Sequence, residues 1–301
     1  MCSRTLRTKG RKITLPAGSD KGMKERKMGK RFIWLFFLFW PMLLNGCQQQ
    51  KGGFTIAGST SVQPFAEMLS EEYMAQHAQD KIFIQGGGSS AGVQAVRTDA
   101  AQVGMSSRNL TPAEQDLIGV PIAYDAIVII VHPKNPTRNL AREEIRGVFS
   151  GKIRNWSEIG GKNHPITLVS REEGSGTREA FQHLIMGKEE ISLRALVQDS
   201  NGAIRQVIAD DPNAIGYISL GLVNDRVIAL KIDGVEPSVE NIKAKKYQFV
   251  RPFLFIFKHE PQGSGKKFLD YILSSEGQKI LVHEGLVSVA SISTPQTGTL
   301  K

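Results

Sequence analysis

Residues 54–69 read FTIAGSTSVQPFAEML, and their pattern changes partway along. Phe54-Thr55-Ile56-Ala57 is a short apolar strand, and Gly58-Ser59-Thr60-Ser61 is a turn. From there Val62, Phe65, Leu69 and Tyr73 recur at helical spacing, which predicts an amphipathic helix. Pro64 falls in the first predicted turn, where its missing N–H and fixed φ cost nothing.

The same unit returns downstream. Lys81–Gln85 is a strand, Gly86–Ser90 a turn and Ala91–Thr98 a short helix. Gln102–Met105 is a strand that runs into Ser106-Ser107-Arg108. Thr111-Pro112-Ala113-Glu114 reads as the start of another helix, with Thr as N-cap, Pro at N1 and Glu at N3. Ala126–Val131 (AIVIIV) is apolar at every position, so both faces of that strand should be buried. Arg142–Phe149 is helical. Ile166–Val169 is a strand, followed by a glycine-containing turn over Arg171–Gly176. A helix over Thr177–Met186 then turns Ala180, Phe181, Leu184 and Ile185 inward. Ala203–Ala209 is a helix, Ile215–Ile218 and Val227–Ile232 are strands, and Gln248–Phe257 is a long apolar extended segment. Ser264–Ser274 and Gly277–His283 are helices. Strands alternating with helices predict an α/β protein with mostly parallel sheets.

The amino-terminal region has another character. Phe32–Leu44 (FIWLFFLFWPMLL) is apolar but short of the roughly 20 residues that span a bilayer, and Pro41 interrupts it. Preceded by Lys24, Arg26, Lys27, Lys30 and Arg31, it reads as the core of a signal peptide. It ends in Leu44-Asn45-Gly46-Cys47, which resembles the lipobox of bacterial lipoproteins and makes Cys47 the expected lipidated residue. Residues 1–46 form the expected targeting segment, with Met23 or Met28 as an alternative start that would leave 1–22 outside the protein. Residues 47–53 form a polar tether. The first 46 residues hold 11 Lys/Arg and 2 Asp/Glu, whereas residues 47–301 hold 27 of each. The basic balance thus belongs to the targeting segment, and the body lacks the positive field that nucleic-acid binding needs. The other cysteine, Cys2, precedes the body. The body therefore has no disulfide, no cysteine nucleophile and no cysteine metal site.

Gly58-Ser59-Thr60-Ser61, Gly86-Gly87-Gly88-Ser89-Ser90 and Gly174-Ser175-Gly176-Thr177 share one design. Each follows a strand and opens a helix. A helix start leaves about four N–H groups unpaired and carries roughly half a positive charge. Glycine lets a ligand approach the backbone, and Ser/Thr hydroxyls add donors, so each turn suits an anion. Ser and Thr are also ordinary N-caps. Three such turns at the carboxyl ends of strands, where ligands bind in α/β sheets, favour a shared anion site. Arg171 adds a permanent charge whose planar fork matches a phosphate-like oxyanion. Its competing role is a salt bridge to Glu172 or Glu173. Arg108, just after Ser106-Ser107, is a second candidate, and its competing role is likewise a surface salt bridge.

AGSTSVQP (Ala57–Pro64), GGGSSAG (Gly86–Gly92), VGMSSR (Val103–Arg108), YDAIVIIVHPKNP (Tyr124–Pro136) and REEGSGTREAF (Arg171–Phe181) occur in this order. Together with NWSEIGG (Asn155–Gly161) and IGYISL (Ile215–Leu220), the set resembles the phosphate-binding proteins of bacterial phosphate ABC transporters. The resemblance covers about residues 54–290. It implies a periplasmic-binding-protein-like fold of two α/β lobes joined by two crossover strands. Lobe 1 would be 54–126 plus 253–290, lobe 2 would be 127–252, and 291–301 a C-terminal tail. It implies inorganic phosphate as ligand and a transporter's membrane subunits as partner. It further implies an extracytoplasmic, lipid-anchored, monomeric binding protein with no cofactor. By motif match Thr60, Ser61 and Ser89 form one wall of the site, and Arg171, Ser175, Gly176 and Thr177 the other, with Ser59 adjoining. Family members that carry Asp at the position of Ser107 use it to accept the proton of hydrogen phosphate and to repel sulfate. Here Ser107 can accept a hydrogen bond but carries no charge, and Asp125 could supply the acceptor or serve structurally.

Other readings compete. Gly88-Ser89-Ser90-Ala91-Gly92 fits the G-x-S-x-G elbow of serine hydrolases, with Ser90 as nucleophile and Asp233 with His259 or His283 as partners. Gly86–Ala91 fits G-x-G-x-x-A, but Met105–Asn109 has no acidic residue where a dinucleotide site needs one. A sensor, or a binder of sulfate or molybdate, is the rival within the binding class. The six histidines show no metal-ligand spacing. Trp156 and Phe249–Phe257 read as core.

Overall fold

A computed structural model describes residues 53–292. The expected signal segment, Cys2, the lipidation site Cys47 and nearly all of the expected tail lie outside the described residues.

Among the described residues the chain builds a nine-stranded sheet and a separate two-stranded one, packed into several apolar clusters of which two are large. β1 (Gly53–Gly58), α1 (Gln63–Gln76), β2 (Lys81–Gly86), α2 (Ser89–Arg97) and β3 (Val103–Ser106) come first. β4 (Ile118–Val131) is fourteen residues long. β5 (Asn139–Leu140) and α3 (Arg142–Phe149) precede β6 (Thr167–Arg171), α4 (Gly176–Phe181), β7 (Leu196–Gln198), α5 (Asn201–Asp210) and β8 (Ala214–Ser219). β9 (Ile228–Ala229), β10 (Lys231–Ile232), α6 (Val239–Lys243), β11 (Val250–Phe257), α7 (Gly263–Leu273) and α8 (Ser275–His283) complete it. The strand order is β2-β1-β3-β11-β4-β8-β6-β7, with β9 pairing β4 off this path, while β5 and β10 pair with each other as a separate sheet. Pairing is parallel on the flanks, where β1 joins β2 and β3, and β6 joins β7 and β8. It is antiparallel in the middle, because β11 runs back against β3 and β4, and β4 runs against β8.

The cores change over within the two central strands. Ile122, Ala123, Phe253 and Phe255 belong to one cluster with Phe65, Leu69 and Phe268. Ala126, Ile127 and Phe249 belong to another with Phe149, Trp156 and Phe181. A register shift between Phe253 and Leu254 marks the same place on β11. The result is a two-lobed α/β fold with β4 and β11 passing between the lobes. The AIVIIV run is fully buried: Ile127, Ile129 and Val131 enter one cluster, and Val128 and Ile130 a third with Ile204 and Ile208. Alternation on a strand sends neighbours to opposite faces, so a strand buried on both has no polar position.

Two local expectations change. Thr111–Glu114 forms a single 3-10 turn over Pro112–Glu114, not a helix. The capping box is present, with Thr111 N–H donating to Glu114 Oε2 at 2.8 Å, but the chain enters β4 four residues later. The helix expected over Thr177–Met186 is α-helical only to Phe181 and continues as a π turn over Gln182–Met186. Among the described residues, no helix is long and apolar enough to cross a membrane.

Candidate functional site

The three glycine–serine turns meet at the seam between the lobes. Gly58–Ser61 leads from β1 into α1, Gly86–Ser90 from β2 into α2, and Gly174–Thr177 follows β6 into α4. Ser61 Oγ and Thr177 Oγ1, from opposite lobes, are 2.6 Å apart. Ser90 N–H donates to Gly174 O at 3.2 Å. A Cβ added to Gly176 would run into Ser89 Oγ and lie 2.7 Å from Ser107 Oγ. Only a glycine lets this backbone pass so near two lobe 1 serines. Gly88 has φ +91°, and a side chain there would also meet Gly174 O.

Local packing sets the third turn. Ser175 is the N-cap of α4, its Oγ accepting from Arg178 N–H. At the other end of α4, Phe181 stacks on Tyr217 of β8 with ring centroids 4.0 Å apart. Tyr217 Oη shares a hydrogen bond with Ser170 and accepts from Arg171 N–H at 3.3 Å. Gly176 and Thr177, as the first residues of α4, carry N–H groups that have no partner within the helix.

Arg171 is 1% exposed. Its Nε and Nη2 both donate to Glu172, at 2.9 Å each, and Nη2 also donates to Thr60 Oγ1 at 2.8 Å and Asp199 O at 3.0 Å. Nη1 is buried without a hydrogen-bond partner, as is Ser107 Oγ. Leaving such a group unsatisfied costs about 1–3 kcal/mol, more when charged. A buried, unsatisfied guanidinium nitrogen and hydroxyl are groups to which an acceptor-rich, negatively charged partner is chemically suited. Arg171 thus makes the salt bridge to Glu172 through Nε and Nη2 and keeps Nη1 without a partner.

The remaining expected residues divide. Thr60, Ser61, Ser89 and Thr177 line the seam with Ser107 and Gly176. Ser89 Oγ accepts from Ser107 N–H at 3.1 Å, which leaves its own proton available. Ser59 turns inward to accept from Ser61 N–H at 3.2 Å and serves the turn itself. Arg108 is not a free anion ligand. Its Nη1 and Nη2 clamp Glu114 at 2.7 and 2.9 Å, and its Nε stands 2.5 Å from Glu179 Oε2. These contacts hold the Glu114 carboxyl down at about 2, through the hydrogen bond from Arg108 above all. Asp125 is likewise taken. Its Oδ1 accepts from Ser219 Oγ at 2.8 Å, and its Oδ2 accepts from Arg251 Nη2 and Nε at 2.9 and 3.1 Å. Burial pushes the Asp125 carboxyl up, against the pull of Arg251 and Ser219. It acts as a structural acceptor beside the crossover.

Arg251 and Asn201 were not foreseen. Arg251, 2% exposed, donates through Nη1 to Thr177 Oγ1 at 2.7 Å and to Ser107 O at 3.2 Å. Asn201, first residue of α5, donates to Ser61 Oγ at 2.8 Å. The signal for Arg251 was a lone charge inside the apolar run QFVRPFLFIF. Asn201 carried none. Ser90 Oγ donates to Glu179 Oε1 at 3.2 Å and lies 3.4 Å from Arg108 Nη2. Its partners are a carboxylate and a guanidinium, not the imidazole that the hydrolase reading requires.

Known proteins share this architecture. The PBP superfamily domain profile matches residues 45–276. The phosphate-binding protein PstS of Bacillus subtilis is 34% identical over 255 residues, covering 82% of this chain and 84% of that protein. PstS of Borreliella burgdorferi is 28% identical, with 86% and 99% covered. A Clostridium perfringens protein, assigned as a phosphate ABC transporter substrate-binding protein and crystallised with phosphate, superposes with a TM-score of 0.77. It is 42% identical, covering 79% of this chain and all of that one. An ABC-type phosphate transport receptor from Vibrio cholerae gives 0.66 at 34% identity, with 78% and 99% covered.

Proposed function

The chain belongs to the PBP superfamily, within its phosphate-binding proteins, and we propose that it captures inorganic phosphate between its lobes and delivers it to the membrane subunits of an ABC importer. The observation that carries this reading is the pair of buried, unsatisfied groups at the seam, Arg171 Nη1 and Ser107 Oγ. A tetrahedral oxyanion is rich in acceptors and needs many short donors to offset its dehydration. The binding set is Thr60, Ser61, Ser89, Ser107, Arg171, Ser175, Gly176 and Thr177, with Arg251 and Asn201 holding the hydroxyls in place.

The hydroxyl network has a definite proton count. Ser61 accepts from Asn201, and Thr177 accepts from Arg251. Ser61 and Thr177 share one further hydrogen bond, which uses one of their two protons. The other proton is free for the anion, whichever residue holds it. Each neighbouring guanidinium is paired with a carboxylate, Arg171 with Glu172 and Arg251 with Asp125. Amide and hydroxyl dipoles therefore carry much of the anion's stabilisation, and the two lobes closing over it exclude water.

The family is one of substrate-binding proteins, and the reading here is capture without covalent change. The lobes are 54–126 plus 253–290 and 127–252, hinged at β4 and β11. The protein works outside the cytoplasm as a monomer, anchored through lipid on Cys47. Titration calorimetry with phosphate, arsenate and sulfate tests the ligand. One phosphate per chain supports the reading, and binding of sulfate alone moves the function to another oxyanion. For the anchor, Cys47→Ser should shift the protein from the membrane to the soluble fraction.

A further inference from the structure

Arg108 and Glu179 face each other across the cleft but outside the anion-binding set. Arg108 follows β3 in lobe 1, where its two Nη groups clamp Glu114 of the same lobe. That bidentate pair holds the guanidinium in place whatever the second lobe does. Its third nitrogen, Nε, makes no aligned hydrogen bond but stands 2.5 Å from Glu179 Oε2 of lobe 2, an ion pair across the cleft. The other oxygen of Glu179 accepts from Ser90 Oγ at 3.2 Å, again across the cleft. The Ser90 amide donates to Gly174 O beside it. Glu179, the fourth residue of α4, thus contacts two lobe 1 side chains from the helix whose first residues enter the anion site.

The place of this pair matters. Arg108, Asn109, Leu110, Glu179, His183 and Arg251 line a cavity of about 320 Å³ between the lobes, beside the second crossover. Arg108 is 7% exposed and Glu179 36%. The contact is therefore largely desolvated on one side and reached by water on the other, which makes it stronger than a surface pair yet able to open. When the lobes part, Glu179 loses the ion pair with Arg108 and the hydrogen bond from Ser90 together.

We propose that Glu179 and Arg108 form a closing latch that sets phosphate affinity and residence time by stabilising the closed form, without touching the anion. This rests on the capture reading above. The site residues supply attraction between ligand and both lobes, and the latch supplies attraction between lobes alone. A latch raises the closed population of the ligand-free protein, so apparent affinity rises in proportion. Ser90 is part of the same device, which gives a role to the residue that fits the hydrolase motif. A rival physical effect has the opposite sign. Glu179 is a carboxylate near an anion site, so if mere repulsion ruled, removing its charge would tighten binding.

The test is Glu179→Gln, which keeps the size of the side chain and leaves the Arg108–Glu114 pair intact. Phosphate binding is followed by calorimetry and stopped flow, and the ligand-free lobes by X-ray scattering. The latch predicts a Kd raised roughly 5- to 30-fold, carried by faster dissociation with association little changed. It also predicts a larger ligand-free radius of gyration at unchanged Tm, and partial recovery with Glu179→Asp. A Kd that is unchanged or lower, with wild-type scattering, overturns it. Failure of the wild-type protein to bind phosphate would instead overturn the capture reading, and the scattering comparison would still decide whether Glu179 closes the lobes.

Discussion

Ser61 Oγ and Thr177 Oγ1 lie 2.6 Å apart although 116 positions separate them in the chain. One stands just before α1 in the first lobe, and the other is the second residue of α4 in the second lobe. Each is fixed by a further donor, Asn201 for Ser61 and Arg251 for Thr177. The contact joins the turn before α1, whose Ser61, Val62 and Gln63 amides are taken up by Ser59, to the start of α4, where the Gly176 and Thr177 amides have no partner within the helix.

Gly176→Ala should weaken phosphate binding by more than about tenfold while leaving Tm nearly unchanged. A Cβ there would collide with Ser89 Oγ and come to 2.7 Å from Ser107 Oγ, so the lobes could not close fully. Alanine is otherwise a better helix former than glycine, so the open protein does not suffer. Calorimetry and a thermal melt check the two halves of this statement.

Ser107→Asp should change selectivity more than affinity for hydrogen phosphate. The Ser107 hydroxyl, unsatisfied and buried, can donate or accept, so it serves either a protonated or a fully ionised oxyanion. An ionised carboxylate only accepts, and it repels an anion that has no proton to give. Wild-type protein should bind sulfate with measurable affinity, and the variant should lose it. Competition of sulfate against phosphate at neutral pH measures the difference.

Arg251→Met should destabilise the fold by about 3–5 kcal/mol at neutral pH, because Asp125 would be left buried and unpaired. Burial already pushes the Asp125 carboxyl up, and without Arg251 nothing comparable pulls it down. A group whose folded-state pKa is raised supports the fold at low pH and loses that support as pH climbs through the raised value. The deficit of the variant should therefore be smallest in acid. Chemical denaturation at several pH values reads it directly.

Glu114→Gln carries the opposite sign. The Glu114 carboxyl is held at about 2 by Arg108 and by the Thr111 amide, below its ordinary value. A depressed carboxylate contributes stability that is present above the unfolded-state pKa and is lost as pH falls towards the folded one. The wild type should exceed the variant by roughly 1–3 kcal/mol at pH 7. That margin should close as pH falls from about 4.5 to about 2.

The sequence made the repeated strand–turn–helix unit plain, and with it the three glycine–serine turns, because each stands between an apolar extended run and a helical apolar spacing. It made the buried crossover plain too, since AIVIIV has no polar face to show to water. It did not reveal the antiparallel middle of the sheet, which depends on β11 returning from far along the chain. Thr111–Glu114 carried a complete helix-start signature and forms the capping box, but made one turn because the chain enters β4 at Ile118. Arg108 is clamped by Glu114 only six positions on, a carboxylate that the sequence assigned to the helix cap, whereas Asp125 stayed open between ligand and structural acceptor because its partner Arg251 lies 126 positions away. Asn201 was invisible for the same reason: nothing near it in the chain indicates that its amide reaches Ser61.

The most direct test is calorimetric titration of the mature protein with inorganic phosphate, in parallel with Arg171→Ala. The account predicts one phosphate per chain for the wild type. For the variant it predicts affinity lower by about 100-fold or more, as expected when a buried charged donor is lost, with the fold retained. Absence of phosphate binding in the wild type, or equal affinity in the variant, would contradict it.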